Sequence, residues 1–276
     1  MEEQVDGTGE TPAFERVRLA IEGAVATLTL DDQPVMNAMS PAMLEEIAQA
    51  LRHIAAPDAG VRCLLITGAG RAFSTGANLQ QMTKGEAGSG PREAGSLLET
   101  GFHPILRRLR DLPIPIVTAV NGPAAGAGMS LALMGDLILC ARSAYFLQAF
   151  RRIGLVPDCG STWLLPRLIG RARAMELSLL GEKLPAETAL EWGLVNRVYD
   201  DAALLGEATA LARNLADGPT LALGLMRRLY WEATENSHEE QIELERQFQV
   251  QAGATADFKE GVAAFLEKRP AQFTGR

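Results

Sequence analysis

The chain has 276 residues, 26 Lys plus Arg against 34 Asp plus Glu, and 47% apolar residues, enough to bury a full core, so disorder and small stapled scaffolds are excluded. A formal net charge of -8 argues against nonspecific nucleic-acid binding. Arg107 with Arg108 and Arg110, Arg151 with Arg152, and Lys268 with Arg269 remain candidates for phosphate contacts, although most such clusters are solvated surface. Cys63, Cys140 and Cys159 are too few and too far apart for a disulfide framework or a paired-cysteine metal site, which points to a reduced compartment. The polar, acidic start MEEQVDGTGE and the lack of any apolar run of about 18 residues lead us to expect a soluble cytoplasmic protein.

Residues 1–12 read as a disordered leader. FERVRLAI and AVATLTL then flank Glu22-Gly23, two β-rich runs around a two-residue turn, which predicts a hairpin. Ser40 and Pro41 supply an N-cap and a first-turn proline ahead of the stripe Met43, Leu44, Ile47 and Leu51, so a helix of about four turns is expected. Val61 to Thr67 and Ile114 to Val120 are short apolar runs of buried-strand type. Between them, Lys84 to Ser96 is rich in Gly, Ser and charge and reads as a mobile surface loop, followed by a helix from Leu97 to Arg110. Asp136 to Ala141 is a further strand. The alternation of strand, loop and helix across residues 13–200 is α/β logic, whereas residues 201–276 carry helical stripes alone.

Common catalytic motifs are missing. Gly68-Ala69-Gly70 follows a strand, but the third glycine position of a dinucleotide fingerprint is Phe73. No phosphate-binding P-loop, zinc-protease or serine-hydrolase motif occurs, and His53, His103 and His238 share no ligand spacing; surface or capping roles suit His53 and His103. What remains are two similar segments, GAGRAFSTGANL after Thr67 and NGPAAGAGMSLAL after Val120. Each runs from strand through a tight turn of small residues to a helix start, where N–H groups lack internal partners and bind anions. One N–H from each turn, converging on one oxygen, is the geometry of an oxyanion hole; small residues in a single such turn more often serve tight strand–helix packing, and two turns in tandem narrow that gap. In a third segment, GLVPDCGSTWLLPRLIG, Asp158, Ser161 and Thr162 are candidate helix caps, and as an acid or base Asp158 would need partial burial beside a substrate.

Taken together, VRCLLITGAGRAFSTGANL, AVNGPAAGAGMSLALMGD and GLVPDCGSTWLLPRLIG resemble the crotonase, or enoyl-CoA hydratase/isomerase, superfamily over residues 14 to 274. That resemblance implies a spiral of ββα units followed by an α-helical C-terminal trimerisation region, assembled as a homotrimer or hexamer. It implies an acyl-CoA thioester substrate whose enolate is held by the main-chain N–H groups of Ala77 and Ala127, with the helix dipole beginning near Gly126 in support. No metal or redox cofactor is expected, coenzyme A being part of the substrate. Main chain around Met36 and Ala38 and around Ser74, Gly76, Ala77, Asn78 and Leu79 is expected to line the CoA channel. Phe265 and Lys268 resemble a pair that contacts the CoA of a neighbouring subunit.

Departures from the family pattern narrow the expected reaction. The two glutamates with which hydratases activate water are replaced here by Ser130 and Phe150, neither of which is a base, and the aspartate of the first turn is Asn78. Asp158 is the carboxylate left at a position the family uses. The stretch PDCGSTWLLPRLIGRARAM resembles the family's isomerase branch, in which that aspartate is the acid/base for 3-enoyl-CoA to 2-enoyl-CoA or 1,2-epoxyphenylacetyl-CoA isomerisation. An isomerase is therefore expected; the alternatives are an enoyl-CoA hydratase with a reorganised site and a catalytically silent thioester-binding subunit. Phe102, Leu106 and Trp163 are candidate walls of an acyl pocket, although such stripes are more often core.

Overall fold

The computed structural model describes residues 12–82 and 95–276, so all but the last residue of the predicted leader and most of the predicted Gly/Ser-rich loop lie outside the described residues. Strands β1 (Val17–Glu22) and β2 (Val25–Leu30) form the antiparallel hairpin, with Glu22 opposite Val25. The turn is therefore Gly23-Ala24, one residue later than the pattern predicts, because Gly23 takes the positive φ of +60° that the turn requires. In helix α1 (Pro41–Ile54) the Ser40 Oγ accepts from Met43 N at 3.1 Å, and Met43, Leu44, Ile47 and Leu51 are all buried. Each of those side chains contributes about 1.5–3 kcal/mol by leaving water.

Strand β3 (Cys63–Gly68), the short helix α2 (Leu79–Met82), a π-helical turn at Leu98–Phe102 and helix α3 (His103–Asp111) come next. They are followed by β4 (Ile116–Val120), the two-residue β5 (Ala124–Ala125), α4 (Ala127–Ala132), β6 (Leu137–Ala141) and β7 (Tyr145–Leu147). Helix α5 (Ser161–Leu180) is broken at Gly170 (φ +78°, ψ 157°), after which come β8 (Lys183–Pro185), α6 (Ala186–Glu191) and β9 (Arg197–Tyr199). The remainder of the chain is α7 (Leu204–Ala216), α8 (Thr220–Glu232), α9 (His238–Gly253) and α10 (Ala256–Glu267).

Six strands form one sheet in the order β1-β2-β3-β4-β6-β9, parallel except at β1. β4 is buried throughout and β3 nearly so, as strands covered on both faces must be, while edge strand β1 alternates. A second sheet, β5-β7-β8, is extended by single bridges from Ser74 to Ala124 and from Met39 to Ala77. Successive turns of the chain thus add a long strand to one sheet, then a short strand or bridge to the other, then a helix, and the small residues that join the two sheets are those of the glycine-rich turns. Helix α7 closes the large sheet with Leu204, Ala208, Ala212 and Ala216 at four-residue intervals.

Helix α8 is anchored by one charged residue. Arg227, 7% exposed, donates to Asp136 Oδ2 at 2.5 Å, to the Leu109 carbonyl at 3.1 Å and to the Leu112 carbonyl, while Asp136 also accepts from Ile116 N at 2.7 Å. Burial pushes the Asp136 carboxyl up and Arg227 pulls it back. A buried pair of this kind is tolerable because its remaining donors reach carbonyls. No helix among the described residues is long and apolar enough to cross a membrane.

Candidate active site

Three segments are laced together at the ends of β3 and β4. Met36 and Asn37 both take left-handed backbone (φ +53° and +56°), a conformation asparagine tolerates better than most residues. The fully buried Asn37 side chain donates to the carbonyls of Ala69, Ala72 and Phe73 at 2.8–3.2 Å and accepts from Asp32 N at 2.9 Å. Thr75 N donates to Met36 O at 3.2 Å, Met39 N to Gly76 O at 2.7 Å and Asn78 N to Met39 O at 3.0 Å, which seats the first turn on residues 36–39. Ala38 is buried within that segment and donates its N–H to Val35 O. Asn78 also accepts from Gln81 N through its side chain, holding the start of α2, where Leu79 is exposed.

The second turn is held against the first. Ala125 N donates to Ser74 O at 2.9 Å and Ser74 N to Pro123 O at 3.1 Å, while the Ser74 hydroxyl donates to Asn37 O at 2.8 Å. Contact is so close that a Cβ on Gly76 would stand 2.7 Å from Ala125 O and 3.3 Å from Ala127 N, and one on Gly128 would stand 2.4 Å from Ser74 O. Only glycine fits either place, and Gly76 has φ +93° besides. Gly126 (φ +52°), tethered by its N–H to Leu147 O at 2.9 Å, turns the chain into α4. Ala77 follows Gly76 and Ala127 opens α4, so their two N–H groups lie on either side of this contact. Among the described residues neither has an acceptor in the chain. Since α4 is six residues long, its contribution comes through that first N–H more than through an extended dipole.

Asp158 is joined to the same helix. Ser130, one turn into α4, donates to Asp158 O at 3.3 Å, and Ser161 donates to that oxygen through both its N and Oγ, at 3.0 and 2.9 Å. The cap expected from Asp158, Ser161 or Thr162 is absent: Gly160 (φ +77°) is the N-cap of α5 and no side chain fills that role. This frees the Asp158 carboxyl, whose Oδ1 is buried without a hydrogen-bond partner. Burial raises its pKa above the ordinary carboxylate value, while a hydrogen bond with the Cys159 thiol and the positive charge of His103 lower it. Phe150 is buried with its ring edge facing Gly126, 3.7 Å from where a Cβ there would stand. The Cys63 and Cys140 thiols are buried and pushed up to about 12, so they are unsuited to act as nucleophiles.

Beyond Asp158 opens a cavity of about 830 Å³ between α3, α5 and α8. Its walls include Cys159, Gly160, Leu106, Met134 and two tryptophans, Trp163 and Trp231, stacked 5.3 Å apart with planes 11° from parallel. Arg167 lies over the Trp163 ring at 4.0 Å. Phe102, a candidate wall, is instead buried in the core, because the π-helical turn directs it toward α1. Phe265 (83% exposed) and Lys268 (φ +54°) sit at the exposed end of α10, which packs on α9, outside the site formed within one chain.

Most of the basic clusters are engaged elsewhere. Arg151 and Arg152 donate to the carbonyls of Leu179, Leu180 and Gly181 at the end of α5, Arg108 to Ala48 O, and Arg269 pairs with Glu260 and Glu267. Sequence reasoning missed Asn37, whose signal is only an asparagine in a short connection, and His103 and Trp231, which approach the site from residues distant in the chain.

A family model described as enoyl-CoA hydratase/isomerase matches residues 20–276. An Escherichia coli K12 protein, 1,2-epoxyphenylacetyl-CoA isomerase, is 48% identical over 93% of this chain and 97% of its own length. A Streptococcus mutans trans-2-decenoyl acyl-carrier-protein isomerase is 34% identical over 95% of this chain and 99% of its own. The crystal structure of an enoyl-CoA hydratase from Polaromonas sp. superposes with a TM-score of 0.84 at 34% identity, covering 93% of this chain and 99% of that one.

Proposed function

Given that the chain belongs to the enoyl-CoA hydratase/isomerase family, we propose that it is an acyl-CoA isomerase in which Asp158 moves a proton beside an oxyanion hole made by Ala77 and Ala127. The observation that carries this reading is that two turn N–H groups lack partners and that Asp158, half-buried, has a buried, unpartnered Oδ1, while Ser130 and Phe150 stand where a hydratase would need glutamates. The thioester oxygen accepts from both N–H groups, the C2–H bond breaks, and the proton passes to the Asp158 carboxylate as the enolate forms. The same proton returns to C4, so that a 3-enoyl thioester becomes a 2-enoyl thioester with no atom gained or lost. A raised pKa suits a group that must both take and give a proton near neutrality. Neither a metal nor a redox cofactor enters these steps.

The stacked tryptophans and the size of the cavity favour a bulky or aromatic acyl group, and likeness to an epoxyphenylacetyl-CoA isomerase favours that substrate class. Exposed Tyr230, Phe265 and Leu266 on α8 and α10 supply apolar surface for self-association, which would bring Phe265 and Lys268 to the CoA of a neighbouring copy in a trimer or hexamer. The test is conversion of a 3-enoyl-CoA, beside hydration of a 2-enoyl-CoA, by the wild type and Asp158→Asn. Fast isomerisation that the substitution lowers by about a hundredfold or more, with negligible hydration, supports the proposal. Hydration that is fast and survives the substitution refutes it.

A further inference from the structure

The family resemblance places the main chain around Ser74 along the CoA channel, yet Ser74 itself is fully buried and each of its polar groups is engaged inside the protein. Its hydroxyl donates to Asn37 O at 2.8 Å and accepts from Gly76 N at 3.2 Å. Its N–H donates to Pro123 O at 3.1 Å, and its carbonyl accepts from Ala125 N at 2.9 Å. These four bonds join the 36–39 segment, the first turn and the second turn through one small residue.

The hydroxyl bears on the peptide that carries the Ala77 N–H. Glycine has no side chain to limit rotation about its backbone, so the unusual φ of +93° at Gly76 must be held by bonds to its own peptide groups. Two such bonds are present: Gly76 N–H is held by Ser74 Oγ, and Gly76 O accepts from Met39 N at 2.7 Å. With both flanking peptide planes fixed, the Ala77 N–H is fixed too. It points away from Met39, because C=O and N–H are opposed across a trans peptide and no described peptide is cis.

We propose that Ser74 is a positioning residue for this reaction, its hydroxyl fixing the rotation of Gly76 and so aiming the Ala77 N–H at the thioester oxygen that the Ala127 N–H also meets. The inference rests on the oxyanion hole of Ala77 and Ala127. Without the hydroxyl, Gly76 N–H loses its acceptor and rotation about Gly76 swings the Ala77 N–H off that oxygen. The bonds of Ser74 to Pro123 and Ala125 are main chain and survive the loss, so the two turns stay together. Since the donor is displaced rather than removed, the rate falls by about tenfold or more, less than deletion of a donor would cost. The loss falls on enolate formation and spares binding, because the hydroxyl touches no substrate.

The experiment measures isomerisation of a 3-enoyl-CoA and deuterium exchange at C2 of a saturated acyl-CoA for the wild type, Ser74→Ala, Ser74→Cys, Thr67→Val and Ala127→Pro, with thermal midpoints in parallel. Thr67 is the structural control, since its buried hydroxyl also crosses between segments, to Ala119 O at 2.8 Å, but does so within the large sheet. Ser74→Cys fills the space of the hydroxyl with a weak acceptor and is read if Ser74→Ala does not fold. The expected result for the folded Ser74 variant is a fall of about tenfold or more in kcat and in exchange, with KM within about threefold of the wild type. Thr67→Val is expected to lower the midpoint and keep both rates within about threefold. Ser74 variants with rates within about threefold of the wild type, an equal loss in Thr67→Val, or a loss confined to KM overturns the proposal. Undiminished rates in Ala127→Pro overturn the oxyanion hole itself instead, so the two failures are distinguishable.

Discussion

Gly76→Ala is the sharpest test of how the two turns make one site. Its methyl would meet Ala125 O at 2.7 Å and Ala127 N at 3.3 Å, on a backbone at φ +93° that side chains other than glycine rarely adopt. Backbone strain of this kind costs about 1–3 kcal/mol, and overpacking against main chain about 1–3 kcal/mol more. At about 2–4 °C per kcal/mol, a total of about 2–6 kcal/mol should lower the melting midpoint by roughly 4–24 °C. The chain can relieve the clash only by moving the second turn away from the first, which draws the Ala127 N–H away from the Ala77 N–H. Loss of one such donor costs about a hundredfold to a thousandfold in kcat, or about 3–4 kcal/mol. Isomerisation kinetics and deuterium exchange at C2 of a saturated acyl-CoA would read this directly, with thioester binding measured alongside. Gly23→Ala is the control, because φ is +60° there and nothing lies within 4 Å; it should cost about 1–2 kcal/mol of strain and leave the rate alone. A folded Gly76→Ala protein that isomerises within about threefold of the wild type would show that convergence of the turns does not carry the catalysis.

Ala127→Pro should delete the second donor while preserving the fold, since the first position of a helix tolerates proline; we expect kcat to drop about a hundredfold or more with little change in the melting midpoint. Asp158→Asn should raise the melting midpoint at neutral pH while abolishing isomerisation. The sign follows from the raised pKa: the folded state holds the Asp158 proton more tightly than the unfolded state, so this group's contribution to stability is lost as pH rises from the unfolded toward the folded value. Melting both proteins across that range checks it, the advantage of the variant vanishing at acid pH. Trp231→Ala removes the stacking partner of Trp163, worth about 0.5–1.5 kcal/mol. Its KM should rise about fivefold for a bulky or aromatic acyl thioester and stay nearly level for a four-carbon one, as steady-state kinetics on the pair would show.

Local pattern alone located much of this molecule. Ser40-Pro41 with its apolar stripe marked α1, the uniform apolar runs marked β3 and β4, and the stripes after residue 201 marked α7 to α10, because these signals depend on neighbours a few residues away. The two glycine-rich turns could be singled out for the same reason, and the resemblance they carry extends to the fold and to family membership. The second sheet could not be read, since β5, β7 and β8 have two or three residues each and exist only through pairing with distant chain. Equally, no sequence pattern says that Asp158 is released from capping by Gly160, or that Ser130 ties its turn to α4. The approach of His103 and Trp231 from α3 and α8 was likewise a decision of tertiary packing. Small residues and a carboxylate specify which chemistry is available; burial, which alone raises the carboxyl's pKa and leaves two N–H groups without partners, depends on how the turns of the spiral stack.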